Sequence, residues 1–124
     1  MCGIVGIIGR GKENARLSRA MSDCIVHRGP DDQGHYADEV MAMGMRRLSI
    51  IDIEGGKQPI TSEDENFVIV FNGEIYNYKE LRAELVKQSY KFKTHTDTEV
   101  VLRLFEIEGS ACLTKLRGMF AFAI

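Results

Sequence analysis

The chain has 124 residues, with 16 Lys and Arg against 18 Asp and Glu, three Cys and no Trp. Its net charge of −2 gives no basic field for a phosphate backbone, and no Lys/Arg stripe is interleaved with aromatics, so no nucleic-acid partner is expected. The longest apolar runs, Ile4 to Ile8 and Met119 to Ile124, fall far below the roughly 20 residues of a spanning helix, and no charged-then-apolar leader opens the chain. Neither a membrane partner nor export is expected, and the cytoplasm is the expected compartment.

In chain order, Cys2 to Ile8 is apolar and β-branched and is stopped by Gly9-Arg10-Gly11, which predicts a buried strand ending in a turn. From Asn14 to Val26 the apolar residues Leu17, Met21, Cys24 and Ile25 recur at spacings of three and four, which predicts a helix burying that face. Two glycines, a proline and two adjacent acids in His27-Arg28-Gly29-Pro30-Asp31-Asp32-Gln33-Gly34 predict a loop. Strands are expected over His35 to Asp38 and Val40 to Met45, joined at Asp38-Glu39, with another over Phe67 to Phe71. The long connection between them, holding Arg46 to Asp52 and Gly55 to Pro59, has the length of a functional loop.

Two further helices begin with the spacing of a capping box, Asn77 with Glu80 and Thr96 with Glu99. Leu81, Leu85 and Val86 line the first, and Val100, Val101, Leu104 and Phe105 the second. A short helix near Ala111 to Leu116 leads into a last strand, Gly118 to Ile124. That run ends without a polar cap or a following partner, so a single domain over 1–124, incomplete at its carboxyl end, is expected.

Gly6-x-x-x-x-Gly11-Lys12 has the spacing of a phosphate loop after a strand, but Glu13 stands where a metal-ligating hydroxyl is needed and would repel phosphate. A turn explains the glycines. Cys2, Cys24 and Cys112 are odd in number and widely spaced, unlike a disulfide framework or a zinc knuckle, and Cys24 and Cys112 are expected as buried thiols. His27, His35 and His95 lack the spacing of ligands on one face, so no metal is expected.

Cys2 carries a stronger reading. Removal of Met1 would leave it as the amino terminus, with thiol and amine on one residue. The amine titrates near about 7.7 to 8.0 and a thiol near about 8.5, so the amine can take the thiol proton close to neutral pH. The thiolate is the attacking species.

Met1 to Gly6, His27 to Gly34, Arg46 to Asp52, Asn72-Gly73-Glu74-Ile75-Tyr76-Asn77 and Thr96-Asp97-Thr98-Glu99 stand in one order along the chain. Together these blocks resemble the glutaminase domain of glutamine-hydrolysing asparagine synthetases, which are class II amidotransferases. The resemblance implies an α+β, N-terminal nucleophile hydrolase fold, a sandwich of two antiparallel sheets between helical layers. It implies L-glutamine as substrate and Cys2 as the nucleophile forming a thioester. Asn72 and Gly73 would be the oxyanion donors, although Asn72-Gly73 also reads as a hairpin turn after a strand. Arg47 would clamp the α-carboxylate in a two-pronged way that lysine does not reproduce. Glu74 and Asp97 would meet the α-amine, Asp97 from the first position of its helix, where a carboxylate is favoured in any case. Main-chain groups of Leu48, Ser49, Ile50 and Ile51 would line the same pocket.

By the same resemblance this chain needs no cofactor, whereas ATP and Mg²⁺ belong to a synthetase domain or subunit that is not present and would amidate aspartate with the ammonia. Homodimerisation stays open. Two other readings stand beside this one: a glutaminase serving sugar or antibiotic amidation, and a non-catalytic module that binds glutamine or a partner subunit.

Overall fold

The computed structural model describes residues 2–9, 11–48 and 56–124. Its first sheet is antiparallel in the order β1-β3-β2, from β1 (Gly3–Ile8), β2 (Asp32–Ala37) and β3 (Met41–Arg47). Gly3 faces Arg46 across one seam and Asp32 faces Arg47 across the other. Asp38 closes the β2–β3 hairpin: its carboxylate accepts the Val40 and Met41 N–H groups, each at 2.8 Å, and the Tyr36 hydroxyl at 2.8 Å.

The second sheet, in the order β4-β5-β6, holds β4 (Ile60–Thr61), β5 (Val68–Ile75) and β6 (Gly118–Ala123), again antiparallel. Side chains alternate across a strand, and β5 uses both faces. Val70 packs with Met43 and Met45 of β3, which joins the two sheets. Ile69, Phe71 and Ile75 point the other way into the main core. That core is completed by Leu81 and Leu85 of α2 (Tyr78–Lys87) and by Val100, Val101, Leu102 and Leu104 of α3 (Asp97–Glu108). On the far side α1 (Asn14–Cys24) covers the first sheet. The result is the expected α+β sandwich of two antiparallel sheets between helical layers.

Several local expectations are corrected. The buried residues of α1 are Asn14, Ser18 and Ser22, whereas Met21 is 39% exposed and Cys24 is exposed. The cause lies on the sheet beneath. A Cβ at Gly44 would come within 2.6 Å of Ser22 Oγ and 3.1 Å of Ser18 Oγ, so the helix lies too close for anything larger than serine. Of the two thiols expected to be buried, only Cys112 is.

Asn72-Gly73 is no turn: β5 runs through it, with Asn72 facing Ala121 and Gly73 facing Phe120. The acidic loop is shorter than expected, since β2 already begins at Asp32 once β3 supplies a partner. A two-residue strand, β4, lies in the long connection. The segment near Ala111 to Leu116 is a 3₁₀ turn over Gly109–Lys115.

The two capping boxes differ. Asn77 makes no cap bond, because its amide instead donates to the Lys115 carbonyl at 2.9 Å and accepts from Arg117 N–H at 3.0 Å. Thr96 does cap α3, its hydroxyl accepting Glu99 N–H at 3.2 Å. The Glu99 carboxylate reaches further back than the box requires, to the N–H groups of Lys93 and Thr94 at 2.9 and 2.6 Å. Thr96→Ala is expected to cost about 1 kcal/mol of stability, read from denaturant melts, while Asn77→Ala should disturb the joint to β6 rather than the helicity of α2.

Candidate active site

The site forms where the carboxyl end of β3, the middle of β5 and the amino end of α3 converge beside the start of β1. Cys2 stands one residue before β1, and the antiparallel register continued from Gly3 and Arg46 sets it beside Arg47. Its sulfur lies 3.4 Å from the Leu48 N–H, which donates to it, and 3.7 Å from the Leu48 carbonyl. The Arg28 guanidinium reaches the Cys2 carbonyl at 3.5 Å.

Cys2, Arg47, Leu48, Gly73, Glu74 and Asp97 line one cavity of about 170 Å³. Arg47 is 5% exposed at the end of β3, where the Asp31 N–H donates to its carbonyl at 3.1 Å and ties down the preceding loop. Asn72 shares a β5 face with Val70, which packs in the cluster that includes Cys2. Its buried Oδ1 has no hydrogen-bond partner among the described residues. Gly73 has φ +153°, and a Cβ there would lie 2.2 Å from the Met119 carbonyl. Only glycine lets β6 approach so near while the N–H stays at the cavity. Ser49, Ile50 and Ile51 lie outside the described residues.

Asp97 opens α3 as expected and is buried. Its Oδ2 accepts the Ile75 N–H at 2.9 Å and its Oδ1 the Thr98 N–H at 2.8 Å. Burial nevertheless pushes its pKa above the ordinary 3.8, the charge of Glu74 adding to the rise while the N–H donors oppose it. A raised folded-state pKa means that this carboxyl favours folding below pH 3.8 and that the benefit is lost as pH climbs through the raised value. Relative to Asp97→Asn, wild-type stability should therefore decline through that window and be flat below it. Melts at several pH values check this, and a difference constant with pH would contradict it.

The cavity also recruits Gly56, Gln58, Phe71, Thr96, Thr98 and Met119, none of which the sequence marked as site residues. Gln58 in the long connection carried a legible signal, a polar side chain beside a proline in a loop of functional length. Phe71 and Met119 carried none, since they read as ordinary strand residues. The three histidines lie outside the cavity, and among the described residues no group of three or more His, Cys, Asp or Glu is placed to hold a metal ion. No described helix is long and apolar enough to cross a membrane.

Residues 1–124 match the glutamine amidotransferase domain family. The chain is 49% identical to asparagine synthetase (glutamine-hydrolyzing) 1 of Bacillus subtilis strain 168, over all of this chain and 20% of that protein. It is 39% identical to asparagine synthetase B (glutamine-hydrolyzing) of Escherichia coli K12, over all of this chain and 23% of that protein. It thus spans about a fifth of the length of these curated relatives. Among solved structures, the allosteric regulatory enzyme of purine biosynthesis superposes with a TM-score of 0.83 at 23% identity, covering 98% of this chain and 34% of that one. The glutamine phosphoribosylpyrophosphate amidotransferase of B. subtilis superposes with a TM-score of 0.77 at 22% identity, with the same coverage of both chains. These two likenesses concern the fold.

Proposed function

This chain belongs to the glutamine amidotransferase domain family, and we propose that it hydrolyses L-glutamine to glutamate and ammonia through a thioester on Cys2. The observation that carries the reading is one cavity holding a thiol, a guanidinium and two carboxylates. A free amino acid carries one negative and one positive charge at its α-carbon. Arg47 suits the first, while Asp97 and Glu74 suit the second.

With Met1 removed, the Cys2 amine takes the thiol proton and the thiolate attacks the side-chain amide carbon. The carbonyl becomes an oxyanion facing the Asn72 amide and the Gly73 N–H. Its collapse breaks the carbon–nitrogen bond, and the proton held by the amine leaves with the nitrogen as ammonia. Water then attacks the thioester, giving one proton back through the same amine to the sulfur, and glutamate departs.

The ammonia is proposed to pass to a synthetase region that amidates aspartate, as the names of the relatives suggest. The ATP and Mg²⁺ that such a reaction uses are proposed to belong to that region. In the full chain, incubation with glutamine should release glutamate and ammonia in equal amounts, and a glutamine-analogue electrophile should add once, on the peptide beginning at Cys2. Absence of both products from protein whose mass confirms loss of Met1 would refute the reading.

A further inference from the structure

The two halves of the proposed cradle sit on different elements. The oxyanion donors Asn72 and Gly73 belong to β5, whereas Asp97 belongs to α3. Their separation must match one small amino acid, so something must hold it. One tie is the bond from Ile75 N–H to Asp97 Oδ2. A second tie comes from a residue on neither element. The Gln58 Oε1 accepts the Phe71 N–H at 2.6 Å, and its Nε2 donates to Thr98 Oγ1 at 3.3 Å.

The register explains why a side chain does this. Ile60 faces Ile69 and Thr61 faces Val68, so the same alignment brings position 58 opposite Phe71, beyond the two residues through which β4 pairs by its main chain. There the Gln58 side-chain amide takes over as acceptor for a β5 residue that is 2% exposed. Loss of that acceptor would leave the N–H of a buried residue without the bond it makes here, which is costly. The anchored Phe71 directly precedes the oxyanion pair, and the anchored Thr98 directly follows Asp97.

We propose that Gln58 is a positioning residue for glutamine hydrolysis, its amide bridging β5 and α3 so that the oxyanion donors and the ammonium partner keep their spacing. The proposal rests on the glutaminase reading above. Gln58 also lines the cavity, so the brace stands at the substrate rather than behind it. Glutamine suits the task because one side chain presents both an acceptor and a donor at the required reach. A misplacement of about 1 Å costs on the order of 10²-fold in rate.

The test uses the full chain. Gln58→Met keeps the length and makes neither bond, and should lower kcat about 10- to 100-fold while KM for glutamine moves less than about three-fold. Alkylation of Cys2 by iodoacetamide, which needs no cradle, should keep its rate within about two-fold and so report an intact fold and nucleophile. Gln58→Glu can accept from both the Phe71 N–H and the Thr98 hydroxyl, and should recover most of kcat. Thr98→Val should lower kcat in the wild-type background and add nothing to Gln58→Met.

Unchanged kcat in Gln58→Met, or Gln58→Glu as poor as Gln58→Met, overturns the proposal. Should Gln58→Met fail to fold, Thr98→Val decides, since an unaltered kcat there overturns it equally. A wild-type chain that does not hydrolyse glutamine overturns the glutaminase reading itself, and that result needs no variant.

Discussion

Cys2→Ala is expected to lower glutamine hydrolysis by about 10⁴-fold or more, while glutamine still binds. Loss of a nucleophile removes the covalent route altogether, and other members of the same catalytic unit cannot substitute for it. Binding should survive, because Arg47, Glu74 and Asp97 are carried by β3, β5 and α3, elements that do not include Cys2. Retained binding of labelled glutamine with lost turnover is the signature to seek.

A companion measurement isolates the amine. Protein made with methionine aminopeptidase inhibited would keep Met1, leaving the thiol intact but moving the free amine to the wrong residue. Hydrolysis should fall nearly as far as in Cys2→Ala, because the proton acceptor is lost. If the Met1-bearing protein turned over glutamine at the normal rate, another group would have to be the base. Leu48 offers only a main-chain donor and a carbonyl beside the sulfur, neither of which can take the proton and hold it.

Arg47→Ala is expected to raise KM for glutamine by about 10²-fold, with a smaller effect on kcat. Truncating one partner of a buried, hydrogen-bonded charge pair costs about 2 to 5 kcal/mol, and Arg47 is 5% exposed. The charge it would meet is the α-carboxylate, remote from the scissile amide, so the loss falls on binding common to ground and transition states. A glutamine analogue lacking the α-carboxylate gives the decisive comparison. It should be a poor substrate for the wild-type chain and no poorer for Arg47→Ala, the two losses failing to add. Full additivity would place the carboxylate elsewhere in the cavity. Arg47→Lys should recover little, since a single ammonium cannot reproduce the two-pronged contact.

Much of this site was legible because its chemistry is concentrated in residue types that the sequence displays directly. A thiol at position 2, an arginine in a connection of functional length and an acid opening a capped helix need no coordinates to be noticed, although β3 runs on to take in that arginine. Thr96 shows the same economy. A cap involves residues three apart, and the helix formed where the pattern said it would. Asn77 shows the limit of that logic, because a competing partner on the 3₁₀ turn before β6, some 40 positions away, took the amide that would have capped α2.

The larger misreadings share a cause. Apolar spacing in α1 favoured Leu17, Met21, Cys24 and Ile25, yet the helix turns Ser18 and Ser22 inward. Burial there is decided by how near the sheet comes, and Gly44 lets it come within reach of serine side chains alone. Asn72-Gly73 has the composition of a turn, but β6, arriving from more than 40 residues further along, pairs it into a strand. Gln58 was passed over because its two partners, Phe71 and Thr98, stand 13 and 40 positions away.

By itself the sequence determined which reactive groups exist, the alternation that makes strands two-faced, and the start of α3, all properties of a residue and its near neighbours. Only the tertiary structure decided that Cys2, Arg47, Gly73, Glu74 and Asp97 share one cavity, and which face of α1 is hidden. Those outcomes depend on close approach between segments far apart in the chain, where the space left by a missing side chain outweighs local preference.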